Sequence, residues 1–257
     1  MAINEVFPNP TVKGVHFEMR FPNLFYLERR IGDFQTEIMK EFPESKLVIR
    51  RQFLLADLGP NSTIEDRPEQ VDQEALRKIW TFKSKAGVVL NVLTDSLQIH
   101  SESHKTYDNP NCDERFRDVI ASVVPSFLKI TAIPVITRVG LRYIDECPIV
   151  KKDNETFSEW YKTAFPLDRF DISDATEMVF RATVQKNGYF LRYIEALVSN
   201  GDKHSLTLDF DGFAKEVEPE KYLAVADRLH TLISAEFEAS VKAPVFEYMR
   251  TRKEEKV

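Results

Sequence analysis

A two-residue step, Asn187-Gly188, separates alternating runs at 177–185 and 189–198, and it constrains this chain more than any other feature. Asn-Gly accepts the positive φ that a tight hairpin turn demands. So short a link joins antiparallel neighbours, because parallel strands need a crossover of about a dozen residues or more. Runs at 78–84, 87–93, 96–101 and 205–210 follow similarly short links, with 199–202 as another turn and Gly212 as a turn glycine. The alternating segment at 15–21 and strands read at 46–55 and 135–146 complete the sheet. The expected class is α+β with a mainly antiparallel sheet, not a doubly wound parallel one.

Three stripes at helical spacing supply the expected backing of three long amphipathic helices. Leu24, Leu27, Ile31, Phe34, Ile38 and Phe42 form the first, capped by Asn23. Phe116, Val119, Ile120, Val123, Val124 and Phe127 form the second, with Asp113 as cap and Pro125 as a kink. Tyr222, Leu223, Ala226, Leu229, Ile233 and Phe237 lie on the third, opened by Pro219. A short helix at 157–161, an acidic proline-bearing loop at 57–75 and a charged tail at 246–257 fill the remainder. Strands, then a loop, then a long helix occur at 78–128 and again at 177–240, which predicts two βββα-like units. Leu141-Arg142-Tyr143-Ile144-Asp145 recurs as Leu191-Arg192-Tyr193-Ile194-Glu195, out of phase with those units. The chain reads as one α+β domain over 1–257, divisible into halves at 1–150 and 151–245.

Composition narrows the function classes. With 35 Lys+Arg against 41 Asp+Glu the net charge is −6, which disfavours nucleic acid and anionic membrane as partners. No run of about 18 apolar residues suggests a membrane span, and the opening residues carry no leader pattern. Cys112 and Cys147 stand apart with no CxxC, so free thiols in a reducing cytoplasm are expected. Only 8 Gly accompany 19 Phe, and GxGxxG, GxxxxGK[ST] and GxSxG are all missing, so no cofactor is expected.

The candidate chemistry lies on strands. Arg138 and Arg142 share a strand face, Arg181 lies on another strand and Arg192 on its hairpin partner, with Lys46, Arg50 and Arg51 upstream. If those faces converge, guanidinium groups could hold a phosphate or carboxylate bidentately. The plainer reading pairs the arginines across strands with Asp145, Glu177 or Glu195. Asp209 and Asp211 share a strand face and are weak metal-ligand candidates, as is the His100/His104 pair, whose i, i+4 spacing chelates only on a helix. Tyr143, Tyr189, Tyr193, Phe180 and Phe190 read as sheet core before base-stacking platforms.

The block Arg138-Val139-Gly140-Leu141-Arg142-Tyr143-Ile144-Asp145 resembles a sporadically distributed prokaryotic TIGR-series family with an R-x-G-L-R-Y-I-[ND] motif. Its members also share an opening strand–helix unit, here 15–42, and an L-x-[LI]-D-x-D block, here Leu206-Thr207-Leu208-Asp209-Phe210-Asp211. A final helix with leucine-histidine and a later phenylalanine is matched by Leu229-His230 and Phe237. The resemblance implies the α+β fold and a cytoplasmic location. It brings no established activity, so no catalytic residue is carried over.

Two functions remain open on the sequence. The first is a noncatalytic binding or interaction protein, with a protein partner or self-association. The second is an enzyme or receptor for a phosphate- or carboxylate-bearing small molecule, using Arg138, Arg142, Arg181 and Arg192 with Asp209 or Asp211.

Overall fold

Alternating side chains, joined by links too short to cross over, build one continuous sheet. The computed structural model describes residues 5–52, 75–104, 106–200 and 203–251. Its strands are β1 (Val12–Arg20), β2 (Glu44–Gln52), β3 (Ala75–Lys83), β4 (Val89–Leu93), β5 (Ser96–Ser101), β6 (Ile136–Cys147), β7 (Glu177–Lys186), β8 (Tyr189–Asn200) and β9 (Lys203–Val217). They form a nine-stranded sheet in the order β2-β3-β4-β5-β1-β6-β9-β8-β7, and every neighbouring pair is antiparallel. The five α-helices are α1 (Leu27–Ile38), α2 (Phe116–Ile130), α3 (Asn154–Trp160), α4 (Tyr222–Ser240) and α5 (Ala243–Arg250). The β7–β8 hairpin turns at Asn187 (φ 53°) and Gly188 (φ 83°), the left-handed pair expected there.

Alternation divides the sheet into an apolar face under the helices and a polar outer face. Phe17, Met19, Ile99, Val139, Leu141 and Phe210 are fully or almost fully buried on the helix side. Phe34 of α1 meets Phe82 of β3 and Phe127 of α2 edge-on, at 5.9 and 5.4 Å between ring centroids. Phe237 of α4 does the same to Phe210 of β9. Burying a phenylalanine contributes about 1.5–3 kcal/mol, so these rings fasten the helices to the sheet. Among the described residues no helix is long and apolar enough to cross a membrane.

Several sequence expectations are corrected. The first helix covers Leu27–Ile38 only, and its cap position is Tyr26, not Asn23. Leu24 and Phe42 are buried outside it, so apolar spacing outruns helical hydrogen bonding. Asp113 does not cap α2; the amides of Phe116 and Arg117 donate to the carbonyls of Thr106 and Tyr107, which meets the need a cap would serve. Gly212 lies inside β9, not at a turn, and a Cβ there would press on Ile233 and Leu229 of α4 at 3.3–3.4 Å. The tail expected from 246 is instead helical as far as Arg250, with Val245 and Met249 buried. The 57–75 loop falls outside the described residues apart from Ala75, which begins β3.

Candidate functional site

Antiparallel register lays the outer-face side chains out in transverse rows. One row runs His100 (β5), His16 (β1), Arg142 (β6), Asp211 (β9) and Arg192 (β8), each directly opposite the next. The row beside it is Gln98, Glu18, Gly140, Phe213 and Phe190, and beyond that lie Ser96, Arg20, Arg138 and Lys215. A cavity of about 470 Å³ opens on these rows, with Glu18, Arg20, Arg138, Arg142, Arg192 and Asp211 in its wall. That volume lies in the range of small-molecule sites.

The charged groups in the wall hold one another. Arg138 reaches across Gly140 to bond both Glu18 and Asp211, and its guanidinium rests 4.8 Å from the Phe213 ring centre. Arg142 donates from Nε and Nη2 to the two oxygens of Asp209, at 2.7 and 2.6 Å. This side-on bidentate geometry is the strong form of the pair. Arg20 Nε lies 2.9 Å from Glu18. Arg192 is the least committed, half exposed, with Nη1 4.0 Å from Asp211. Four guanidinium groups therefore face Glu18, Asp209 and Asp211, leaving one positive charge in excess.

His16 and His100 stack at the end of the row, ring centroids 4.1 Å apart. Gly14 lies beside the stack, where a Cβ would meet both rings at 3.4 Å. Burial first, then the nearby His100 and Arg142, pushes His16 down to about 4, so it is neutral at pH 7. Among the described residues the buried His100 Nδ1 has no hydrogen-bond partner, while Nε2 lies 3.3 Å from Glu102. The pairing of His100 with His16, Glu18, and Gly140 as the passage for Arg138 are not evident in the sequence. The available signal was a glycine in mid-strand two residues after an arginine, which marks close approach.

Arg138, Arg142 and Arg192 are brought together, and Arg181 is not. Arg181 faces the same side from edge strand β7, but it stands opposite Ile194, exposed and outside the cavity. Lys46 is exposed on β2, and the side chains of Arg50 and Arg51 lie outside the described residues. The expected carboxylate partners are also corrected. Asp145 and Glu195 face the helices and are buried, Asp145 on Thr11 and Glu195 on Thr163 and the Ala164 amide. Glu177 is exposed. Asp209 and Asp211 are each held by a guanidinium, whose positive charge opposes a metal ion. His104 does not join His100; it bonds Ser101 at 2.7 Å and packs on Phe116. Tyr143 and Tyr193 pack against the core on the helix side, whereas Phe190 stacks on Phe213 outside.

The pentapeptide repeat gains a geometric meaning. Its two copies flank β9 in register: Leu141 and Leu191 on either side of Gly212, Arg142 and Arg192 on either side of Asp211, Tyr143 and Tyr193 on either side of Phe210. Compared with protein-family models, with curated proteins and with solved structures, the chain finds no match.

Proposed function

We propose that this protein is a noncatalytic receptor and that its outer-face cavity takes a small carboxylate- or phosphate-bearing molecule. The observation that carries the reading is the arginine pair around Asp211. Arg142 has Nη1 left after its bidentate bond to Asp209, and Arg192 is half exposed at 4.0 Å from its nearest carboxylate. Arg138 neutralises Asp211 between them, so an arriving anion meets two open guanidinium edges in a wall with one excess positive charge. A receptor is preferred to an enzyme because the ionised groups are paired with each other, and the imidazoles stack instead of addressing a hydroxyl. Titration calorimetry with inorganic phosphate, pyrophosphate and citrate tests this. Binding at least tenfold weaker in Arg192→Ala, with the melting temperature unchanged, is expected; no heat from any of the three anions defeats it.

A second reading, self-association, is favoured by β7. This ten-residue edge strand exposes Val179, Phe180 and Val184, and an unpaired edge is a ready template for another strand. Sedimentation velocity over a concentration series should show a dimer that Val179→Lys dissociates; a monomer at every concentration disposes of the idea. We also read β3-β4-β5-α2 and β7-β8-β9-α4 as two strand–strand–strand–helix units, backed by α1, α2 and α4 as the long amphipathic helices. A cytoplasmic location is supported by the free thiols Cys112 and Cys147, the latter buried.

A further inference from the structure

A second cavity lies on the opposite side of the sheet, among β1, β6, α4, α5 and the segment before α2, with a volume of about 110 Å³. Its wall is aromatic, with Phe7, Tyr107, Phe116, Tyr143 and Phe237 joined by the imidazole of His230. Among the described residues no lysine or arginine lines it. Its two histidines, His104 and His230, are both pushed below their ordinary value by burial, so they are neutral at pH 7. His230 stacks on Tyr107 at 4.4 Å and shares a 3.0 Å hydrogen bond with the Tyr143 hydroxyl.

Among the described residues one carboxylate of this wall has no counter-ion. Asp145 is 6% exposed, and Oδ1 accepts from Thr11 at 2.8 Å. Among the described residues Oδ2 has no hydrogen-bond partner, and no cation pairs with the group. Burial raises its carboxyl to about 7, the response of an acid held away from water and from positive charge. Glu5, the other carboxylate of the wall, already accepts from Arg250 Nε and Nη2 at 2.9 and 2.7 Å. A buried carboxylate is costly in its ionised form unless a positive charge stands beside it, and aromatic faces attract cations through their negative quadrupole. A comparable cavity of about 150 Å³ admits benzene, so this one has room for a methylated ammonium head group.

We propose that this cavity is a binding site for a small organic cation, a protonated or methylated amine, with Asp145 as counter-ion and the surrounding rings as its cage. The site is separate from the outer-face cavity, and neither reading depends on the other.

Thermal shift and titration calorimetry at pH 8, where Asp145 is mostly ionised, test it with trimethylammonium chloride as the probe. Potassium chloride at equal ionic strength and the neutral near-isostere tert-butanol are the controls. The expected result is a saturable rise in melting temperature with trimethylammonium alone, and binding at least tenfold weaker in Asp145→Asn. Phe237→Leu, which keeps an apolar side chain and loses one aromatic face, should bind about threefold more weakly; it serves as the readout if Asp145→Asn does not fold. No saturable effect, an equal effect of tert-butanol or potassium chloride, or undiminished binding by both variants overturns the proposal.

Discussion

Arg138 lies across Gly140: a Cβ at position 140 would stand 2.2 Å from a guanidinium nitrogen of Arg138. The glycine is the gap through which one strand's arginine reaches the carboxylates of its two neighbours. Gly140→Ala is expected to displace the guanidinium, break its bonds to Glu18 and Asp211, and cost about 2 kcal/mol. Urea denaturation measures the loss. In an Arg138→Leu background the same alanine should cost almost nothing, because the clash has gone. Additive losses in the double variant would show that the two positions are independent.

His16 imposes an acid limit on stability. The unfolded chain protonates this imidazole near 6.5, whereas the folded one resists until about 4. Between those values the unfolded state holds more protons, so this contribution is full above 6.5 and falls away as pH drops toward 4. His16→Asn should flatten that part of a melting-temperature profile relative to the parent. Profiles that stay parallel from pH 4 to 7 would contradict this.

Asp145 has the opposite sign. Its folded carboxyl, raised to about 7 mainly by burial, keeps a proton that the unfolded one releases near 3.8. The contribution is therefore full below 3.8 and is lost as pH rises through 7. The stability of Asp145→Asn relative to the parent should increase between pH 5 and pH 8, as followed by chemical denaturation at each pH. A constant difference would mean that the carboxyl titrates as if it were in water.

Phe34 joins α1, α2 and the sheet through two edge-on ring contacts and is fully buried. Phe34→Ala removes the ring and leaves a cavity, so a loss of about 3–5 kcal/mol is expected. A loss under 1 kcal/mol in denaturant titration would show that α1 is not fastened to the sheet as described.

The strands were legible because their signals are local. Asn187-Gly188 demands its turn whatever surrounds it, and the 15–21 run alternates over its whole length. Helix ends were less legible, since the amides that open α2 are satisfied by Thr106 and Tyr107 carbonyls and not by a neighbouring side chain. Of the site, the meeting of Arg138, Arg142 and Arg192 could be guessed from strand parity. Their carboxylate partners could not, because β9 lies between β6 and β8, and that order is set by long-range pairing. Asp145 and Glu195 looked like surface partners for arginine, yet strand parity turns both of them toward the helices.

The repeated pentapeptide beside β9 also bears on how the sheet finds its alignment. Asp209 and Asp211 are two residues apart, so sliding β9 by two positions would still set an aspartate between Arg142 and Arg192. The faces would be preserved too, although Thr207 would then stand where Asp209 holds Arg142. Such a slide would carry Phe210 into the place of Gly212, beneath Leu229 and Ile233, where even a Cβ is tight. Gly212 thus adds a steric stop to the charge pairing, and a missing side chain becomes part of what sets the longest strand of the sheet.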